Sequence, residues 1–136
     1  MSPEDAEPVD VRDYDRLYAA VQSLVEQFAR LDPRPTGLFV PDDQITPVVY
    51  RCLTEQKIRP GRDVLVVSCN HDQGFLVHLQ PRPATISLAP EMTGRLAVEQ
   101  LLWQIRTGEV NPRVRVAVEP ELIAGDPRSF IERRRA

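Results

Sequence analysis

The residues that could do chemistry fall in two short clusters. Asp42 and Asp43 stand side by side directly after an apolar run. Cys69-Asn70-His71-Asp72 follows a second apolar run and joins a thiol, an amide, an imidazole and a carboxylate in one stretch. Cys69-x-His71, with His78 nearby, invites comparison with a metal site, but the spacing matches no common zinc pattern and a fourth ligand is not evident. Cys69 and His71 lie two apart, on the same side of an extended segment, which suits a nucleophile and its base. An activated thiol, however, needs an electropositive niche that nothing in the sequence supplies. There is no phosphate loop and no Ser-His-Asp arrangement. Asp42 is either a helix cap or a cleft carboxylate accepting hydroxyl protons. Asn70 is either a turn residue or an amide that donates to and accepts from a polar ligand.

Composition narrows the classes. The 136 residues include Lys+Arg 17 and Asp+Glu 20, for a net charge of -3. Such a chain forms one domain with core enough to fold unaided. Apolar residues at 42% and charged residues at 27% exclude wholesale disorder. Pro 13 is about twice the usual frequency of roughly 5%, which excludes a plain helical bundle. The mild acidity excludes a nucleic-acid surface of clustered Lys and Arg; Lys57 is the only lysine. The arginine run Arg133–Arg135 reads as solvated terminal charge. Two cysteines, Cys52 and Cys69, make no disulfide framework and are expected as free thiols. No signal peptide is legible, and no apolar run nears the roughly 20 residues that span a bilayer, so a soluble, cytoplasmic protein without membrane contact is expected.

The elements that must position the two clusters alternate. Leu17, Val21, Leu24, Val25, Phe28 and Leu31 mark one face of a helix capped by Asp13 or Asp15 and stopped at Asp32-Pro33. Pro35–Val40 suits a fully buried strand. Ile45, Val48, Val49, Cys52 and Leu53 give a second amphipathic helix to about Gln56, with Asp42 and Asp43 at its N-terminus and Pro47 in its first turn. Asp63–Ser68 is a second buried strand, residues 71–83 are irregular, and Ala84–Leu88 is a brief strand. Pro90 opens a third helix with Leu96, Ala97, Leu101, Leu102 and Ile105 on its buried face, ended by Gly108. Arg113–Val118 alternates like a half-exposed strand, and Glu119–Ile123 continues as an edge. Helix-strand alternation with short links predicts an α/β fold with a parallel sheet. Ligands of such sheets bind beyond the carboxyl ends of the strands, where both polar clusters fall.

Five segments in order then resemble the lac-repressor/gal-repressor (LacI/GalR) family of bacterial transcription regulators. They are Pro35-Thr36-Gly37-Leu38-Phe39 before an acidic pair; Pro60-x-x-Asp63-Val64-x-Val66-Val67; Pro83-x-Thr85-Ile86; Gly94-Arg95-x-Ala97-x-x-x-Leu101-Leu102-x-x-Ile105-x-x-Gly108-Glu109; and Pro120-Glu121-Leu122-Ile123. The resemblance covers about residues 14–127. It implies a parallel sheet flanked by helices, the C-terminal lobe of a type I periplasmic-binding-protein-like fold. Residues 1–13 are expected as an acidic tail or severed linker, and 128–136 as a basic tail.

The resemblance implies ligand sensing and dimerisation, with no catalysis, cofactor or metal. Asp42 matches the family's effector-contacting Asn, and Asn70 matches its Asp, so amide and carboxylate are exchanged. Ser68 replaces the usual Gly, and Leu88 stands where a polar residue often reaches the ligand. Thr46, Pro47, Tyr50 and Arg51, with Phe75, Leu76 and His78 of the Gly74–His78 stretch, correspond to the family's subunit interface, which implies a homodimer. A small-molecule effector, such as a sugar, is expected only with the other lobe, and DNA only through a helix-turn-helix that no segment here resembles. In the family the helix 90–107 packs on the first lobe; here its apolar face is expected to be covered by its own sheet or a second subunit, with Trp103 close by. The rival readings are a sugar-binding protein of a transport system and a small enzyme using Cys69 or the Asp42/Asp43 pair.

Overall fold

The computed structural model describes residues 13–108 and 114–126. Nearly all of the two expected tails, 1–13 and 128–136, lies outside these residues. Eight elements follow in the order α1 (Tyr14–Ala29), β1 (Gly37–Phe39), α2 (Thr46–Glu55), β2 (Leu65–Cys69), α3 (Gln73–Leu76), β3 (Ala84–Ser87), α4 (Pro90–Thr107) and β4 (Glu121–Ile123). One sheet has the order β1-β2-β3-β4. The pairs β1/β2 and β2/β3 are parallel and β3/β4 is antiparallel. The parallel arrangement follows from the links, because a helix between consecutive strands returns the chain to the same end of the sheet.

Local chemistry sets each boundary. Asp13 caps α1 by accepting from the Arg16 N–H at 3.1 Å. Pro47 sits in the first turn of α2, where its missing N–H would have no helical partner anyway. Gly108 ends α4 at φ 62, the left-handed conformation that favours glycine. The turn into β2 is held by Asp63, which accepts from both the backbone N–H and the guanidinium of Arg59 at 2.9 Å. Those bonds hold its carboxyl at about 2, below the usual carboxylate range.

The core lies on one face of the sheet. Leu17, Val21 and Val25 of α1 meet Val48, Val49, Cys52 and Leu53 of α2 over Val40, Val64 and Val66. Alternation along the strands puts Phe39, Leu65, Val67, Cys69 and Ile86 on the other face, because register pairs Phe39 with Val67 and Cys69 with Ile86. None of those five is buried, and Phe39 is 55% exposed.

Several sequence expectations are corrected here. The strand expected to be fully buried, β1, is a sheet edge with its first and last residues exposed. Leu24 and Leu31 of the first helical stripe are exposed. Residues 114–118 form no strand, because no neighbouring strand pairs with them; only β4 adds to the edge. The stretch 71–83 contains the short α3, with Leu76 buried. The helix at Pro90–Thr107 forms as expected, yet none of its residues is buried. Leu101, Leu102, Trp103 and Ile105 are exposed, so its own sheet does not cover it. Among the described residues no helix is long and apolar enough to cross a membrane.

Candidate functional site

The two polar clusters meet at the carboxyl ends of β1 and β2. The Asp43 N–H donates to the Cys69 carbonyl at 3.1 Å, which brings the peptide at 42–43 beside the one at 69–70. Asp42 is half-buried, and its Oδ1 accepts from the Gln44 N–H at 2.7 Å. This bond caps a turn rather than α2, which starts at Thr46 with no side-chain cap. The other carboxylate oxygen of Asp42 has no hydrogen-bond partner among the described residues and can accept from a ligand hydroxyl. Asn70 is exposed at φ 99 and His71 follows at φ 60, so the chain turns sharply off the end of β2. Asn accepts such backbone more readily than most residues. The Asn70 N–H is tied to the Ile86 carbonyl at 2.8 Å, and the residue is exposed.

Asp43 points the other way. It is fully buried, and its carboxylate accepts from the Ser68 hydroxyl, from the Thr85 hydroxyl at 3.3 Å and from the Asp72 N–H at 2.6 Å. Thr46 Oγ1 lies 2.8 Å from Ser68 Oγ and donates within reach of the Asp42 carbonyl at 3.0 Å. A buried carboxylate is costly unless its oxygens are satisfied, and here neutral donors satisfy them. Pattern reading treats the acidic pair as one unit and misses this split. A signal existed: Ser68 and Thr85 are hydroxyls inside otherwise apolar strands, and buried hydroxyls need a partner.

The remaining candidates separate as follows. Cys69 is half-buried, and Cys52 is buried with its thiol pushed up mainly by that burial. The His71 ring contacts the Gln73 amide at 3.2 Å. Among the described residues no three His, Cys, Asp or Glu side chains gather to hold a metal. Leu88 is exposed. Of the residues expected at a subunit contact, Thr46, Tyr50 and Leu76 are buried within the protomer. The Tyr50 hydroxyl donates to the Pro81 carbonyl at 2.9 Å, and burial, then Asp126, pushes the phenol well above its usual range. Pro47 is half-buried, whereas Arg51, Phe75 and His78 are exposed, as is Val77 beside them. Arg51 lies over the Tyr18 ring at 4.7 Å and donates to Glu55 at 3.1 Å. An apolar groove of about 310 Å³ separates α1 from β1, lined by Leu17, Leu24, Phe28, Leu38, Phe39 and Ile45.

Residues 3–126 match the periplasmic binding protein-like domain family. Over 111 residues the chain is 30% identical to the ribose operon repressor of Haemophilus influenzae, covering 82% of this chain and 32% of that protein. A solved complex of the transcriptional regulator CelR with cellobiose superimposes with a TM-score of 0.67 at 27% identity, over 82% of this chain and 32% of that one. The lac repressor dimer bound to operator and the anti-inducer ONPF superimposes with a TM-score of 0.64 at 21% identity, over 81% of this chain and 36% of that one, and shows likeness of fold. The chain thus spans about a third of the length of these relatives.

Proposed function

The chain belongs to the periplasmic binding protein-like domain family, as that domain occurs in LacI-type regulators, and from this premise we propose that it is the ligand-sensing and dimerisation part of such a regulator. The observation that carries the reading is the placement of Asp42 and Asn70 together at the carboxyl ends of two parallel strands. One side chain accepts hydrogen bonds, and the other both accepts and donates, which suits the hydroxyls of a saccharide. The ribose repressor and the CelR–cellobiose complex make ribose and cellobiose the first ligands to try. Asp42 and Asn70 form one wall of the cleft, and the other wall belongs to a second lobe. Ligand binding between the lobes favours the closed arrangement. It regulates only to the extent that it prefers that arrangement over the open one. DNA contact belongs to a separate head, and no chemistry is performed on the ligand.

For dimerisation, the accessible candidates are Pro47, Arg51, Phe75 and His78, joined by Val77. The exposed aromatic Phe75 and aliphatic Val77 suit a two-fold contact in which the same patch meets itself. Buried Thr46, Tyr50 and Leu76 serve by shaping α2 and α3 beneath that patch.

Calorimetry and sedimentation test the reading together. One wall supplies only part of the contacts that a cleft makes with a ligand. Ribose and cellobiose should therefore bind the isolated chain more weakly than about 1 mM, or about -4 kcal/mol. Micromolar affinity would point to a complete binding protein of the transport type. Sedimentation at micromolar concentration should show a dimer that Phe75→Asp dissociates; a monomer of 15.4 kDa in the unmodified chain contradicts the dimerisation half.

A further inference from the structure

We propose that Asp43 is a positioning residue that fixes Asn70 and α3 as one unit, linking the ligand wall to the surface at Phe75–His78. The inference rests on the reading of Asn70 as a ligand contact and adds the residue that holds it. The loop after β2 has three consecutive N–H groups with defined acceptors. Asn70 donates to the Ile86 carbonyl at 2.8 Å, His71 to Thr85 Oγ1 at 3.2 Å, and Asp72 to Asp43 Oδ2 at 2.6 Å. Thr85 in turn donates to Asp43 Oδ1 at 3.3 Å, so two of the three bonds converge on one carboxylate. Ser68, the last buried residue of β2, donates to the same Oδ1.

The geometry makes Asp43 the common point of three strand ends. It lies between β1 and α2, it binds a hydroxyl from β2 and one from β3, and it grips the peptide that begins α3. That peptide does two jobs. Its residue Asp72 caps α3 by accepting from the Gly74 N–H at 3.0 Å, and it follows Asn70 by two residues. The left-handed backbone at Asn70 and His71 is unfavourable for non-glycine residues and persists only when its surroundings fix it. A charged acceptor bound to neutral donors makes shorter and stronger bonds than a neutral one, which suits a grip on a strained loop. A displacement of Asn70 by ligand is therefore passed to α3 and its exposed Phe75, because both hang from the same peptide.

The test needs no ligand. Two-dimensional amide NMR of the full chain is compared with Asp43→Asn, which keeps the shape but replaces the charged acceptor. The account expects the Asp72 amide to lose its strongly hydrogen-bonded resonance. It also expects amide exchange at residues 70–76 to speed by at least about tenfold, while α1 and α2 keep their protection. Ser68→Ala and Thr85→Val, each removing one donor, should move the same amides in the same direction by less, and they carry the test if Asp43→Asn does not fold. Unchanged Asp72 and α3 resonances in these variants would overturn the proposal, as would a change spread evenly over the whole chain. An intact latch in a chain whose Asn70 ignores saccharide would count against the ligand reading alone.

Discussion

α2 and α4 carry similar apolar stripes and meet opposite fates. α2 buries Val48, Val49, Cys52 and Leu53 against α1 and the sheet. α4 has Val98, Leu101, Leu102 and Ile105 on one helical face, and it buries none of them. The Gln100 amide of α4 donates to the Val114 carbonyl at 3.0 Å. The sheet repeats the contrast, with one face under α1 and α2 and the other open at Phe39, Leu65 and Val67. Parallel sheets are normally covered on both faces. Periodicity thus reports that a face must be covered, and nothing about which neighbour covers it. The relatives are about three times as long.

Three substitutions sharpen this contrast, in order of expected size. Leu53→Ala empties a site with no exposure at all and should cost about 2–5 kcal/mol in denaturant unfolding. A cost near zero would mean that the α1–α2 core is not the stabilising part. Tyr50→Phe removes the bond to Pro81 and should cost about 0.5–1.5 kcal/mol near neutral pH. The raised phenol also gives a pH signature. Its stabilisation is fully present below the ordinary phenol value of about 10 and is lost as pH climbs through the raised folded value. Tyr18, raised to about 12 mainly by its bond to Glu55, acts in the same direction, so the signature is the difference between the unmodified chain and Tyr50→Phe. Identical alkaline limbs would contradict the burial of Tyr50. Leu101→Ala should cost less than about 0.5 kcal/mol in the monomer, as at an ordinary surface position. A cost that appears only as protein concentration rises would show that a second copy covers α4.

Much of the fold was legible because it is locally encoded. Asp13 announces α1, Pro47 and Pro90 fit first turns, and Gly108 stops α4. The parallel order followed from short links between apolar runs, and it set the segments after β1 and β2 at the same end of the sheet. Three kinds of information were not local. The exposure of β1 and α4 is set by which elements the tertiary fold places beside them, and periodicity does not encode that. The alternation at 114–118 lacked a pairing strand, without which a β pattern is only a pattern. The burial of Asp43 depends on donors 25, 29 and 42 positions away in the chain, at Ser68, Asp72 and Thr85. Tyr50, expected at a subunit contact, is buried in the protomer and donates to the Pro81 carbonyl, 31 positions away in the chain.

We propose that Asp42 and Asn70 form one wall of a saccharide cleft. Residue-resolved amide NMR of the full chain, titrated with ribose and then cellobiose into the millimolar range, tests it most directly. Weak, saturable shifts centred on residues 42–44 and 70–72 are expected, which Asn70→Ala or Asp42→Ala abolishes without changing the α1–α2 resonances. Shifts centred instead on the apolar groove between α1 and β1, or shifts at residues 71–72 that survive both substitutions, would contradict it.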